Sequence, residues 1–212
     1  MNKKTISNYC GLLGVLALIS YTAAVIFAPL GYPGYDWMKQ AVSDLSAENA
    51  PSRDLWNILS VFHGTCTLPC MTVMSIYVQG RLNKTLRVGI YLFTAMSWIS
   101  GVGYKLFPLS DSGYAGELTD VMHIVVTALV VILSIASLIV IMVGGYRDRR
   151  YRYLAIGATA ALGLMFLGPV GMAAAPEAYK GIFERFSVFS ATGYTAFLGI
   201  CMFTGFEEAE TE

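Results

Sequence analysis

Residues 117–144 read ELTDVMHIVVTALVVILSIASLIVIMVG, and this stretch decides the fold. Past Asp120 and His123 no charged side chain follows until Arg147. A helix of about 20 apolar residues crosses a hydrocarbon core of roughly 30 Å, and a helix apolar on every side belongs in a membrane or a large core. Working outward from it, five further runs share this character. The expected spans lie at about 7–30, 54–79, 87–107, 117–144, 153–173 and 183–205. The first run is too long for a signal-peptide core and has no small-residue cleavage site after it, so it reads as a retained span. The chain is therefore expected to be one all-α domain over residues 1–212, a polytopic integral membrane protein with six transmembrane helices in three hairpins.

Composition agrees. Apolar residues make up 56% of the chain and charged residues 13%, whereas a soluble domain carries about 25% charge. Mean hydropathy is +0.59. The formal net charge of zero argues against nucleic acid, which needs clustered Lys and Arg. The partners this composition admits are membrane lipids and further copies of the same chain. The loops show a basic bias. Lys3, Lys4, Arg81, Lys84, Arg87, Arg147, Arg149, Arg150 and Arg152 fall on one side, and Lys39, Arg53, Lys105, Lys180 and Arg185 on the other. Nine against five places both termini on the cytoplasmic side of the cell membrane; the acidic tail Glu207, Glu208, Glu210 and Glu212 contributes little to that rule. The basic run Arg147 to Arg152 can touch anionic lipid heads, although the loop bias already accounts for it. All four cysteines lie within expected spans, so a disulfide framework is not expected.

The largest piece between spans runs from Gly31 to Arg53. Gly31, Pro33 and Gly34 make a turn, and Met38 to Ala47 reads as a short helix at the interface, with Tyr32, Tyr35 and Trp37 as an aromatic belt. The even spans start alike: Ser60-Val61-Phe62-His63-Gly64-Thr65 resembles Ser187-Val188-Phe189-Ser190-Ala191-Thr192, and Val121-Met122-His123 resembles Val61-Phe62-His63. That alignment sets His63, His123 and Ser190 at similar depth on the second, fourth and sixth spans. Each lies on a polar stripe at helical spacing, and polar faces in lipid turn inward. The even helices are accordingly expected to line the interior together.

His63 and His123 are the only histidines. Near them in the expected topology stand Asp44, Asp111, Asp120, Glu184, Arg185 and Ser190, and ionisable groups within a membrane mark functional sites by default. His63, His123 and Asp120 form a candidate metal set for a divalent ion such as Zn, with Asp120 three residues before His123 as ligand or orienting acceptor. The plainer readings stand beside this one. Either histidine can serve only as a helix-to-helix donor, Asp120 and Glu184 can occupy first turns that favour acids, and Ser190 can bond back to a carbonyl. No catalytic residue is fixed by a motif.

The pattern Tyr32-Pro33-x-Tyr35 with Ser43-Asp44-Leu45-Ser46-Ala47, the Phe107-Pro108 end of the third run with Asp111 after it, and the His123 opening of the fourth resemble domain-of-unknown-function family 998. The resemblance covers nearly the whole chain. It implies a six-helix prokaryotic membrane protein, distantly similar to the DRAM and GPI-remodelling membrane proteins, which act around lipids. The layout of His, Asp and Ser is also similar to that of membrane-embedded zinc amide hydrolases of the alkaline ceramidase type. Those have seven helices and three metal histidines, and two histidines put a closed three-histidine site out of reach.

Three functions follow as expectations. The first is an outward-facing polar site between the second, fourth and sixth spans that binds or senses a lipid or small amphiphile. The second is an intramembrane metal-dependent hydrolase of a lipid or amide bond, with Ser190 orienting the substrate. The third is a small transporter or channel, although no helix is broken near the midplane in both repeats as transporters often show.

Overall fold

The computed structural model describes residues 4–111 and 116–206; Lys3 and the acidic tail lie outside them. Among the described residues the chain is mainly helical, with no strand. The helices are α1 (Ile6–Cys10), α2 (Leu12–Phe27), α3 (Arg53–Leu59), α4 (Val61–Tyr77), α5 (Lys84–Leu106), α6 (Leu118–Arg147), α7 (Arg152–Ala174) and α8 (Lys180–Thr204).

Four of the helical stretches are long and apolar enough to cross a membrane: Ile6–Gly31, Leu118–Arg147, Arg149–Ala174 and Glu177–Thr204. The α3–α4 pair makes a fifth if its 42° bend is taken within one span. The remaining run, α5, has 23 residues, but its glycines, hydroxyls and tyrosines dilute its apolarity. The surface supports a membrane setting. Ile26, Ile132 and Val170 are 58%, 62% and 62% exposed on long helices, an outward apolar display that water does not tolerate over whole helices.

The helices close into a ring in chain order. α2 packs against α4 and α8, α4 against α5, α5 against α6, α6 against α7, and α7 against α8. The expected inner trio of even helices is not formed, because α6 packs against α5 and α7 rather than against α4 or α8. The ring closes at α2–α8 through small residues. Gly11 faces the Gly199 carbonyl, and a Cβ on Gly14 would meet the Thr195 carbonyl at 2.9 Å, so the two backbones touch as small residues permit in lipid.

One half of the bundle is solid. Met71, Met74, Ile90, Phe93, Leu138, Ile141, Leu154, Leu198 and Met202 fill it. This is the basic end, with the 78–83 and 148–151 turns. There Asn8, 6% exposed, donates to Tyr77 Oη at 2.8 Å and to the Met202 carbonyl at 2.7 Å, tying α1 to α4 and α8.

The opposite end carries residues 32–52, a strap. The helix expected over Met38 to Ala47 is replaced by turns with one 3-10 turn at Ser43–Ser46. Side chains take the amides a helix would need. Asp36 Oδ1 accepts from Met38 N at 3.0 Å, Gln40 Oε1 from Asp36 N at 2.8 Å and Asp44 Oδ2 from Ala41 N at 3.1 Å, the local competition that breaks helices.

Candidate functional site

The break between α3 and α4 starts the site. Ser20 of α2 donates to the Leu59 carbonyl at 2.5 Å, and its oxygen accepts from His63 N–H at 3.2 Å. One hydroxyl thus serves two of the backbone groups that the break exposes and fixes where the His63 ring enters the bundle. The ring lies 4.7 Å from Tyr21, which also meets Trp56 and Phe189 edge-on at 5.7 Å each. His63 Nδ1 is buried there and has no hydrogen-bond partner among the described residues, although the ring also has a polar interaction with the Ala17 backbone.

Above this aromatic wall the strap is fastened to the start of α8. Glu184 Oε2 accepts from Val42 N at 2.6 Å. Arg185 donates to the Gln40 carbonyl at 3.1 Å, to the Gly181 carbonyl at 2.7 Å and to Tyr35 Oη at 2.8 Å. Tyr35 in turn donates to the Ala41 carbonyl at 2.8 Å. Burial pushes the Tyr35 phenol up to about 12 against the pull of Arg185, so it stays protonated and keeps that bond. Gly181 sits where a Cβ would meet the Trp37 and Met38 carbonyls at 2.8 and 2.9 Å; only glycine lets the strap lie this close. Asp44, 7% exposed, is within electrostatic range of Glu184. Asp44, Glu184 and Arg185 therefore come together, from segments far apart in sequence.

His123 and Asp120 stand apart from them, on α6. His123 Nδ1 lies 2.9 Å from the Phe107 carbonyl, and its ring is 4.8 Å from Tyr104. Tyr104 donates to Thr127 Oγ1 at 3.1 Å and is within electrostatic range of Glu184 and Tyr21, so it faces the strap side as well. Asp120 is fully buried and accepts from Ser110 N at 2.7 Å, Ser110 Oγ at 2.8 Å and Glu117 N at 3.1 Å. It is the acid of a capping box at the start of α6. Asp111 is bonded by Asn49 Nδ2 at the surface.

Two expected groupings are not seen among the described residues. Ser190 does not join the histidines; its hydroxyl donates to the Ala161 carbonyl at 2.6 Å in the α7–α8 contact. The metal set of His63, His123 and Asp120 is not assembled either. No group of three His, Cys, Asp or Glu side chains among the described residues is placed to hold an ion. The reason is local: the Asp120 oxygens accept from the Ser110 and Glu117 amides and the Ser110 hydroxyl, and the His123 ring is held by Phe107.

Sequence reading missed Ser20, Tyr21, Trp56, Tyr104 and Phe189. A signal existed for two of them, since Ser20-Tyr21-Thr22 is the polar interruption of an otherwise apolar run from Leu12 to Phe27.

A family model described as "Protein of unknown function (DUF998)" matches residues 15–200. No curated protein and no solved structure matches the chain.

Proposed function

The chain belongs to the DUF998 family, proteins of unknown function, and from that premise we propose that it binds the head of a lipid or small amphiphile beneath the strap, between α2, α4 and α8. The same reading takes α5 as a further span, giving six, with the strap outside the cell membrane and both termini in the cytoplasm. Its length supports this, since 23 residues make about 34 Å of helix. The basic bias of the loops supports the orientation.

The observation that carries the binding reading is His63 Nδ1, buried and unpartnered against Tyr21. A buried polar atom without a partner costs about 1–3 kcal/mol, a cost that a ligand hydroxyl or amide would remove. Around it are the ingredients of a small-molecule site, aromatic walls with a few convergent polar groups: Tyr21, Trp56 and Phe189 below, Glu184 and Arg185 above. The strap lies above these groups and the packed basic half below them, so on this reading a ligand enters from the side or by strap movement. A hydrolase working through a metal would need His63, His123 and Asp120 on one ion, and among the described residues these are not placed to hold one.

Native mass spectrometry of the protein purified in mild detergent tests the reading. Wild-type chain should retain a stoichiometric amphiphile, and His63→Phe, which keeps the aromatic contact with Tyr21 but removes the nitrogens, should lose it while remaining folded. Equal retention by the variant, or no adduct on the wild type, would sink it.

A further inference from the structure

At the basic end, the start of α5 and the turn after α6 face each other across a cleft of about 370 Å³. Lys84 lines it from one side and Arg147 and Arg149 from the other, with Asp148 as the one acid. Asp148 is engaged, its Oδ1 accepting from Arg150 N at 3.2 Å. Among the described residues none of the three cations makes an ion pair, the single pair there being Lys180–Glu177 at 2.5 Å. A basic loop bias explains why Lys and Arg lie at this end. It does not by itself bring three cations to one cleft, where the single carboxylate of Asp148 leaves two of the charges uncompensated and like charges repel.

The backbone adds to the same field. Asn83 caps α5, its side chain accepting from Leu86 N at 3.0 Å, and the amides of Lys84 and Thr85 at the first two helical positions have no acceptor within the helix. The positive end of a 23-residue helix thus opens beside three cations, the arrangement that holds phosphate at helix starts.

We propose that this cleft binds a phosphate group, as the head of an anionic phospholipid or as a free phosphate ester or ion. Three cations, two free amides and one committed carboxylate leave a net positive site suited to an oxyanion that accepts several hydrogen bonds at once. It lies at the opposite end of the bundle from His63 and stands or falls independently of that reading.

The test uses the full chain in non-ionic detergent, with thermal unfolding followed while dioctanoyl phosphatidylglycerol, dioctanoyl phosphatidylcholine or inorganic phosphate is titrated. Wild-type protein should show a saturable rise in melting temperature with phosphatidylglycerol and little with phosphatidylcholine. A saturable rise with inorganic phosphate alone would also support the site and assign it to the free ion. Lys84→Gln, Arg147→Gln and Arg149→Gln should each weaken the response about tenfold, the loss of one hydrogen bond to a charged group. All three side chains are exposed, so these changes leave the fold intact. Arg150→Gln removes the same charge just outside the cleft and should change the response by less than about twofold. No saturable response to either phosphate source, or an equal loss in Arg150→Gln, overturns the proposal.

Discussion

A single hydroxyl carries much of the geometry at the strap end. Ser20 holds the Leu59 carbonyl and the His63 amide together, so Ser20→Ala should leave both without a partner inside the bundle and cost about 1–3 kcal/mol, a fall of several degrees in melting temperature. Thr22→Ala is the matched control, because Thr22 only bonds back to the Leu18 carbonyl at 2.8 Å. Differential scanning fluorimetry in detergent compares them; an equal effect would show that the Ser20 bonds do not hold the bend. This residue was visible in sequence only as a polar interruption of a span. Asp120 was more visible and misleading. A carboxylate three residues before a histidine has the same spacing whether it serves a metal or caps its own helix, and the partner that decides, Ser110, is on a loop whose path periodicity does not reveal. His63 was legible as an intramembrane ionisable group. That its Nδ1 would be left unpartnered was not, since that depends on what Tyr21 and Phe189 place around it.

Among the elements, α8 does two jobs. Its body packs against α7 and α2, while its first two turns grip the strap through Gly181, Glu184 and Arg185. Removing the guanidinium should free the strap and little else. In Arg185→Ala, hydrogen exchange of the amides over residues 35–42 should quicken about tenfold to a hundredfold, equivalent to losing one or two hydrogen bonds from a charged group, with α4 and α6 unchanged. Unaltered exchange in that segment would mean the strap is held by other contacts. Each of the six apolar runs is helical, because a long apolar run bounded by Pro, Gly and charged loops has one way to satisfy its backbone in lipid. The strap was read as a helix over Met38 to Ala47 because its apolar spacing permitted one. Asp36, Gln40 and Asp44 turn back on nearby amides instead, and hydropathy is blind to that choice.

For the whole molecule, the ring order follows the chain, each helix beside its sequence neighbour, closing between α2 and α8. A weak repeat in sequence suggested even helices inside and odd ones outside. Adjacency is set by which surfaces are small enough to approach, such as Gly11, Gly14 and Gly199, and a motif repeat does not encode it. Orientation is the prediction that belongs to this scale. Single cysteines at positions 84 and 149, in a background with the four native cysteines replaced, should react with a membrane-impermeant maleimide only after cells are opened. A cysteine at position 36, in the strap, should react on intact cells. The reverse pattern would invert the topology, and with it the leaflet that the basic cleft meets.

The contact of α2 with α8 sets a schedule for making this protein. The glycine face of α2, at Gly11 and Gly14, is translated well before the α8 backbone that covers it at Thr195 and Gly199. At about 5–20 residues per second, that face waits on the order of ten seconds or more for its partner. During that interval the groove along Gly11 and Gly14 has only acyl chains or an insertion factor to cover it. A chain halted before α8 is thus a ring with an open seam and a bare glycine groove. The seam closes only once α8 has been made, so ring closure joins helices far apart in sequence.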